Sequence, residues 1–129
     1  NNIKNGASWT DEDGNVIPSS RLTRPADPPR CYAYCSDTCY LPELHKQLEG
    51  TTCIYHETTY ATEDAEKAAK YCHSTAAQAA QVARDAHAGR LLLGHYSSKY
   101  DNEQVLLDEA RSVFPASELT REGMVVELK

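Results

Sequence analysis

Three short apolar runs in this sequence stop at residues able to bind a metal or carry a proton. CYAYC is followed by Ser36-Asp37-Thr38, CIY by His56-Glu57-Thr58, and LLLG by His95-Tyr96-Ser97-Ser98. His73 stands two residues before Thr75, a candidate helix start. Carboxylate and imidazole groups ligate divalent metals and transfer protons near neutral pH, so Asp37, His56, Glu57, His73 and His95 are the residues whose convergence would do chemistry. Taken singly, each has a structural explanation. A histidine ending a strand is more often hydrogen-bonded packing, and an aspartate there commonly makes a turn or a cap. Functional groups of α/β proteins gather at the carboxyl ends of strands, and recurrence at three strand ends is what favours a site.

Other chemistries fit less well. The run HETTY lacks the second histidine of a zincin motif, and Ser97-Ser98 has no nucleophile-elbow glycines around it. Five cysteines, with no secretion signal, read as reduced and structural. In CYAYCSDTC, Cys31 and Cys35 on one strand would stand about 13 Å apart, too far for one metal. His45 and His87 fall on polar helix surfaces and are assigned no role.

The elements that must position these groups alternate. Strands are expected over 31–36, 53–56, 91–96 and 124–128, and helices near Pro42 and over 62–71, 75–88 and 101–114. Thr75 with Gln78, and Asp101 with Gln104, match capping boxes, and Gly89 reads as a helix stop. Ala76, Ala79, Ala80 and Ala83 make one thin apolar stripe, while Leu106, Ala110 and Val113 make another. Residues 1–30 hold turn signals and one apolar pair, Val16-Ile17, enough for an irregular loop or a short hairpin; residues 31–129 read as one αβ unit. Asn1 in place of methionine, followed by an unpatterned polar stretch, suggests a chain cut from a longer one. No apolar run is long enough for a membrane span, which makes the cytoplasm the expected location. The net charge of −6 argues against broad phosphate neutralisation by this segment.

The ordered blocks Ser36-Asp37-Thr38, HETTYA (56–61), HST (73–75) and HYSSKY (95–100), followed by LLDEARSVFP and EGMVVEL, resemble the C-terminal half of the ribonuclease Z family. That resemblance implies an α/β fold, the C-terminal half of a metallo-β-lactamase αββα sandwich with a mixed sheet and flanking helices. It implies a zinc-dependent phosphodiesterase/endoribonuclease removing 3′ trailers from precursor tRNA. Asp37 would bridge two zinc ions, His95 would ligate one of them, and Glu57 with His73 would deliver the proton to the departing 3′ oxygen. Lys99 stands where the family has arginine, and Thr58 and Tyr60 where it has alanine and phenylalanine.

The family's H-x-H-x-D-H zinc motif is absent from this sequence. Two ligands are fewer than the three a catalytic zinc wants, so the chain alone is expected to bind zinc weakly or not at all and to be inactive. A lone half-sandwich would also expose a sheet face, which implies a homodimer or other self-association. Another metallo-β-lactamase-fold phosphodiesterase, or a non-catalytic assembly module, are the alternative readings.

Overall fold

The computed structural model describes residues 2–129; Asn1, where the segment 1–30 begins, lies outside them. After a short 3₁₀ turn, strands β1 (Trp9–Thr10) and β2 (Val16–Ile17) form an antiparallel hairpin, with Trp9 opposite Ile17. Helix α1 (Ser19–Leu22) and a proline-rich stretch lead into the main layer.

That layer is a four-stranded sheet in the order β3 (Tyr32–Cys35), β4 (Cys53–Glu57), β5 (Leu91–Gly94), β6 (Ser117–Leu119). Every pairing in it is parallel, so the mixed character implied by the resemblance is not seen in this sheet; the antiparallel pair belongs to the separate hairpin. Parallel neighbours need crossovers, and these are supplied by α2 (Leu44–Gln47), α3 (Ala65–Lys70) with α4 (Ala76–Asp85), and α5 (Gln104–Val113).

The core lies between one face of the sheet and α4 and α5. Ile54, Leu91 and Leu93 meet the four stripe alanines of α4 and Leu106, Leu107 and Ala110 of α5, all of them buried. Alanine lets α4 approach closely but contributes little area, so the leucines and Ile54 supply most of the drive, at about 1.5–3 kcal/mol for each side chain fully buried. Thr75 caps α4 as expected: its hydroxyl accepts from the Gln78 N–H, and the Gln78 side chain accepts from the Thr75 N–H.

Four expectations need correction. Residues 124–128 form no strand; the fourth strand is Ser117–Leu119, a short polar segment without an apolar run. Helix α5 begins at Gln104, and its N–H is taken by Asn102 rather than by an Asp101 box. The second helix begins at Leu44, beyond Pro42. The turn after α4 takes its left-handed residue from His87 (φ 49°), not from Gly89. Gly89 is needed for another reason, because a Cβ there would come within 2.7 Å of the Thr52 carbonyl oxygen. Among the described residues no helix is long and apolar enough to cross a membrane.

Candidate functional site

Parallel pairing brings the strand ends to one edge. Cys35 is opposite His56 and Glu57 opposite Gly94, so Asp37, Glu57 and His95 emerge side by side. Asp37 (φ 46°) and His95 (φ 59°) both adopt the left-handed conformation directly after their strands. Such backbone costs a non-glycine residue on the order of 1 kcal/mol or more and is held only by its surroundings.

Those surroundings are the loops carrying His95 and His73, both sewn to residues 58–60, and the Asp37 loop tied to Ser74. The Thr58 N–H and hydroxyl both donate to the Gly94 carbonyl, at 2.8 and 3.1 Å. The Ser97 N–H donates to the Thr59 carbonyl. Tyr60 exchanges backbone bonds with Ser74 and Ala76, fixing the loop that carries His73. Ser74, fully buried, donates its hydroxyl to the Thr38 carbonyl and so ties in the Asp37 loop. Further out, the Tyr100 hydroxyl accepts from the Ala61 N–H and donates to Asp64, which also pairs with Lys99. The Lys99 ammonium holds the Asp64 carboxyl below its usual range. Lys99 thus anchors the His95 loop to the turn before α3.

Inside this frame the side chains converge. Glu57 is completely buried, and its Oε1 lies 2.8 Å from His73 Nδ1. Its Oε2 accepts from the Thr59 N–H at 3.0 Å and from the Thr59 hydroxyl at 2.8 Å. The Thr59 hydroxyl oxygen is also 2.9 Å from His95 Nδ1 and 3.2 Å from His73 Nδ1. On the outer side His95 Nε2 is 3.1 Å from Asp37 Oδ1. The two imidazoles lie with centroids 5.3 Å apart. Exposure rises outward, from buried Glu57 through half-buried His73 to exposed His95 and Asp37.

Asp37, His73 and His95 each bring a ligand atom within 4.8 Å of the others. A tetrahedral metal with bonds of about 2.0–2.1 Å spaces its ligand atoms by about 3.3 Å, close to the Asp37–His95 separation. These two donors therefore fit part of a metal's shell. His73 fits less well as a ligand through Nδ1, since that nitrogen is engaged by Glu57.

The structure separates His56 from this group. Strand alternation turns it to the helix side, where it is wholly buried with Nδ1 against the Glu57 carbonyl and Nε2 without a partner. Burial pushes its pKa down. His45 bonds the Pro42 carbonyl and His87 pairs with Glu49, both away from the site. All five cysteines are free. Thr59 is the group that reading the sequence overlooked; the available signal was a hydroxyl two residues beyond a carboxylate at a strand's end.

No family model matches the chain. It is 47% identical over 128 residues to ribonuclease Z of Bacteroides fragilis, a match covering 99% of this chain and 42% of that protein. The chain thus spans about two fifths of the length of the curated relatives it matches. Its fold is similar to the metallo-β-lactamase fold protein YhfI from Bacillus subtilis, with a TM-score of 0.68 at 24% identity over 73% of this chain and 38% of that one. It is also similar to human tRNase Z, short form, with a TM-score of 0.56 at 24% identity over 71% and 31%. The α/β layer described above is a portion of the metallo-β-lactamase fold.

Proposed function

From the premise that this chain belongs to the ribonuclease Z family, we propose that it is the C-terminal part of a zinc-dependent endoribonuclease that removes 3′ trailers from precursor tRNA in the cytoplasm. The observation that carries the reading is the pairing of His73 with buried Glu57, set beside Asp37 and His95 on one sheet edge. Asp37 and His95 would hold metal together with ligands from the rest of the longer protein. When bound, the metal supplies Lewis-acid polarisation of the phosphodiester and a nucleophile at neutral pH.

The chain's own part in the reaction is proton delivery. Glu57 holds His73 by Nδ1, which leaves Nε2 as the nitrogen at which a proton is held and released. The carboxylate accepts from Nδ1–H and fixes the orientation of the ring. Set beside the scissile bond, His73 Nε2 would protonate the departing 3′ oxygen, the role of a general acid.

Two donors alone make a poor zinc site, so by itself the chain would bind zinc weakly and cleave nothing. Phosphate neutralisation by an acidic segment falls to the metal and to basic surface elsewhere in the protein.

The test is a pair of substitutions in the full-length protein, assayed for precursor-tRNA cleavage and zinc content. His73→Ala should lower kcat about 10²–10⁴-fold with zinc retained. Asp37→Ala should lose both activity and zinc. Zinc loss in His73→Ala, or full activity in Asp37→Ala, would overturn the assignment. Cleavage of a small chromogenic phosphodiester in preference to precursor tRNA would point to a different phosphodiesterase.

A further inference from the structure

Thr59 is placed to decide which nitrogen of His95 carries a proton. Its hydroxyl has one hydrogen and three polar neighbours: Glu57 Oε2 at 2.8 Å, His95 Nδ1 at 2.9 Å and His73 Nδ1 at 3.2 Å. A carboxylate only accepts, so the Glu57 contact uses the hydroxyl hydrogen. The Thr59 N–H, donating to the same Oε2, holds the carboxylate in that orientation. With its hydrogen committed, the hydroxyl oxygen can only accept from the two rings. His95 Nδ1 must then carry a hydrogen, and a neutral imidazole protonated at Nδ1 presents a lone pair at Nε2.

We propose that Thr59 is a positioning residue that relays the charge of buried Glu57 to His95 and fixes its Nδ1–H form, so that Nε2 beside Asp37 is left free as a metal donor.

On the outer side His95 Nε2 stands 3.1 Å from Asp37 Oδ1. With the proton on Nδ1, Nε2 is left bare beside a carboxylate, and one cation can take both as donors. A proton on Nε2 would close that nitrogen to metal. Carboxylates or carbonyls orienting metal-bound histidines are common; here a hydroxyl is interposed, so one buried carboxylate serves both His73 directly and His95 through Thr59. The 58–60 segment that carries Thr59 is also the one to which the His73 and His95 loops are bonded, which keeps all three partners in register.

The metal half of the proposal rests on the functional reading above, whereas the proton placement does not. The test is long-range ¹H–¹⁵N correlation spectroscopy of the histidine side chains in ¹⁵N-labelled protein near pH 8, without metal, which tells protonated ring nitrogens from bare ones. His95→Asn assigns the signals. Wild type and Thr59→Ser should show His95 protonated at Nδ1. Thr59→Val, which keeps the shape and removes the hydroxyl, should raise the Nε2–H population severalfold because Nδ1–H loses its acceptor. Zinc affinity measured by calorimetry on the full-length protein should fall about 10–100-fold in Thr59→Val and stay near wild type in Thr59→Ser. A wild-type His95 protonated at Nε2 would overturn the proposal, and that measurement needs no variant to fold. A well-dispersed Thr59→Val spectrum with His95 unchanged would overturn it equally. Unchanged zinc affinity in Asp37→Ala would instead sink the metal reading while leaving the proton placement standing.

Discussion

At the scale of single residues, His56 and Glu57 are neighbours that folding treats in opposite ways. Both are wholly buried, but Glu57 is met by three donors and His56 by one acceptor, leaving Nε2 bare on the helix side of the sheet. Burial without a second partner favours the neutral imidazole, so the folded-state pKa lies below its ordinary value of about 6.5. The unfolded chain then binds the proton first as pH falls. Stability is therefore full above about pH 6.5 and declines below it, with a slope of at most about 1.4 kcal/mol per pH unit for one proton. Urea unfolding at pH 7.5 and 5.5 should show this loss, and His56→Leu, of similar volume, should remove most of it. An undiminished pH slope in His56→Leu would place the effect elsewhere. The sequence showed that His56, Glu57, Asp37 and His95 stand at strand ends. It could not show which of two adjacent residues faces the helices, because that depends on the layer packed above the strand.

At the scale of elements, the end of β5 depends on a residue with no side chain. Tyr55, one strand over, stacks on Tyr34 at 4.6 Å and lays its ring across Gly94; an added Cβ would fall 2.2 Å from its hydroxyl and 2.5 Å from the ring edge. Gly94→Ala must push the ring off this seat or bend the strand just before His95. A cost of about 1–3 kcal/mol is expected, the usual range for overpacking. It should appear as a lower urea midpoint at unchanged m and shrink when Tyr55→Leu clears the ring. Equal costs in both backgrounds would mean that the ring is not the obstacle. Element signals in the sequence were reliable where they were local. The Thr75–Gln78 box is satisfied within four residues and was legible. β6 was not, because Ser117–Leu119 is held by its neighbour's backbone, with the Thr120 N–H bonding the Leu93 carbonyl just beyond it, rather than by any apolar pattern of its own.

At the scale of the whole molecule, the sheet has one face sealed by α4 and α5 and another that is not. Tyr32, Tyr34, Tyr55 and Leu92 share the second face, with Met124, Val126 and Leu128 alongside them. Arg30 fastens that final stretch through the Leu128 carbonyl. The apolar run 124–128 thus reads like a strand because its residues alternate, yet it pairs with none; periodicity reports which side chains seek cover and not where the backbone bonds go. The cover is partial, since Tyr34 remains 65% exposed and Tyr32 50%. Stacked aromatic rings open to water on a sheet face are a surface suited to association. The expected consequence, with a homodimer the simplest form, is an apparent mass in light scattering that rises with concentration for the 129-residue chain. Tyr34→Glu should return it to monomer without altering the far-ultraviolet circular dichroism, since the charge lands on the open face and not in the alanine-lined core. A chain that stays monomeric at every concentration would show that residues 124–128 cover the face well enough alone.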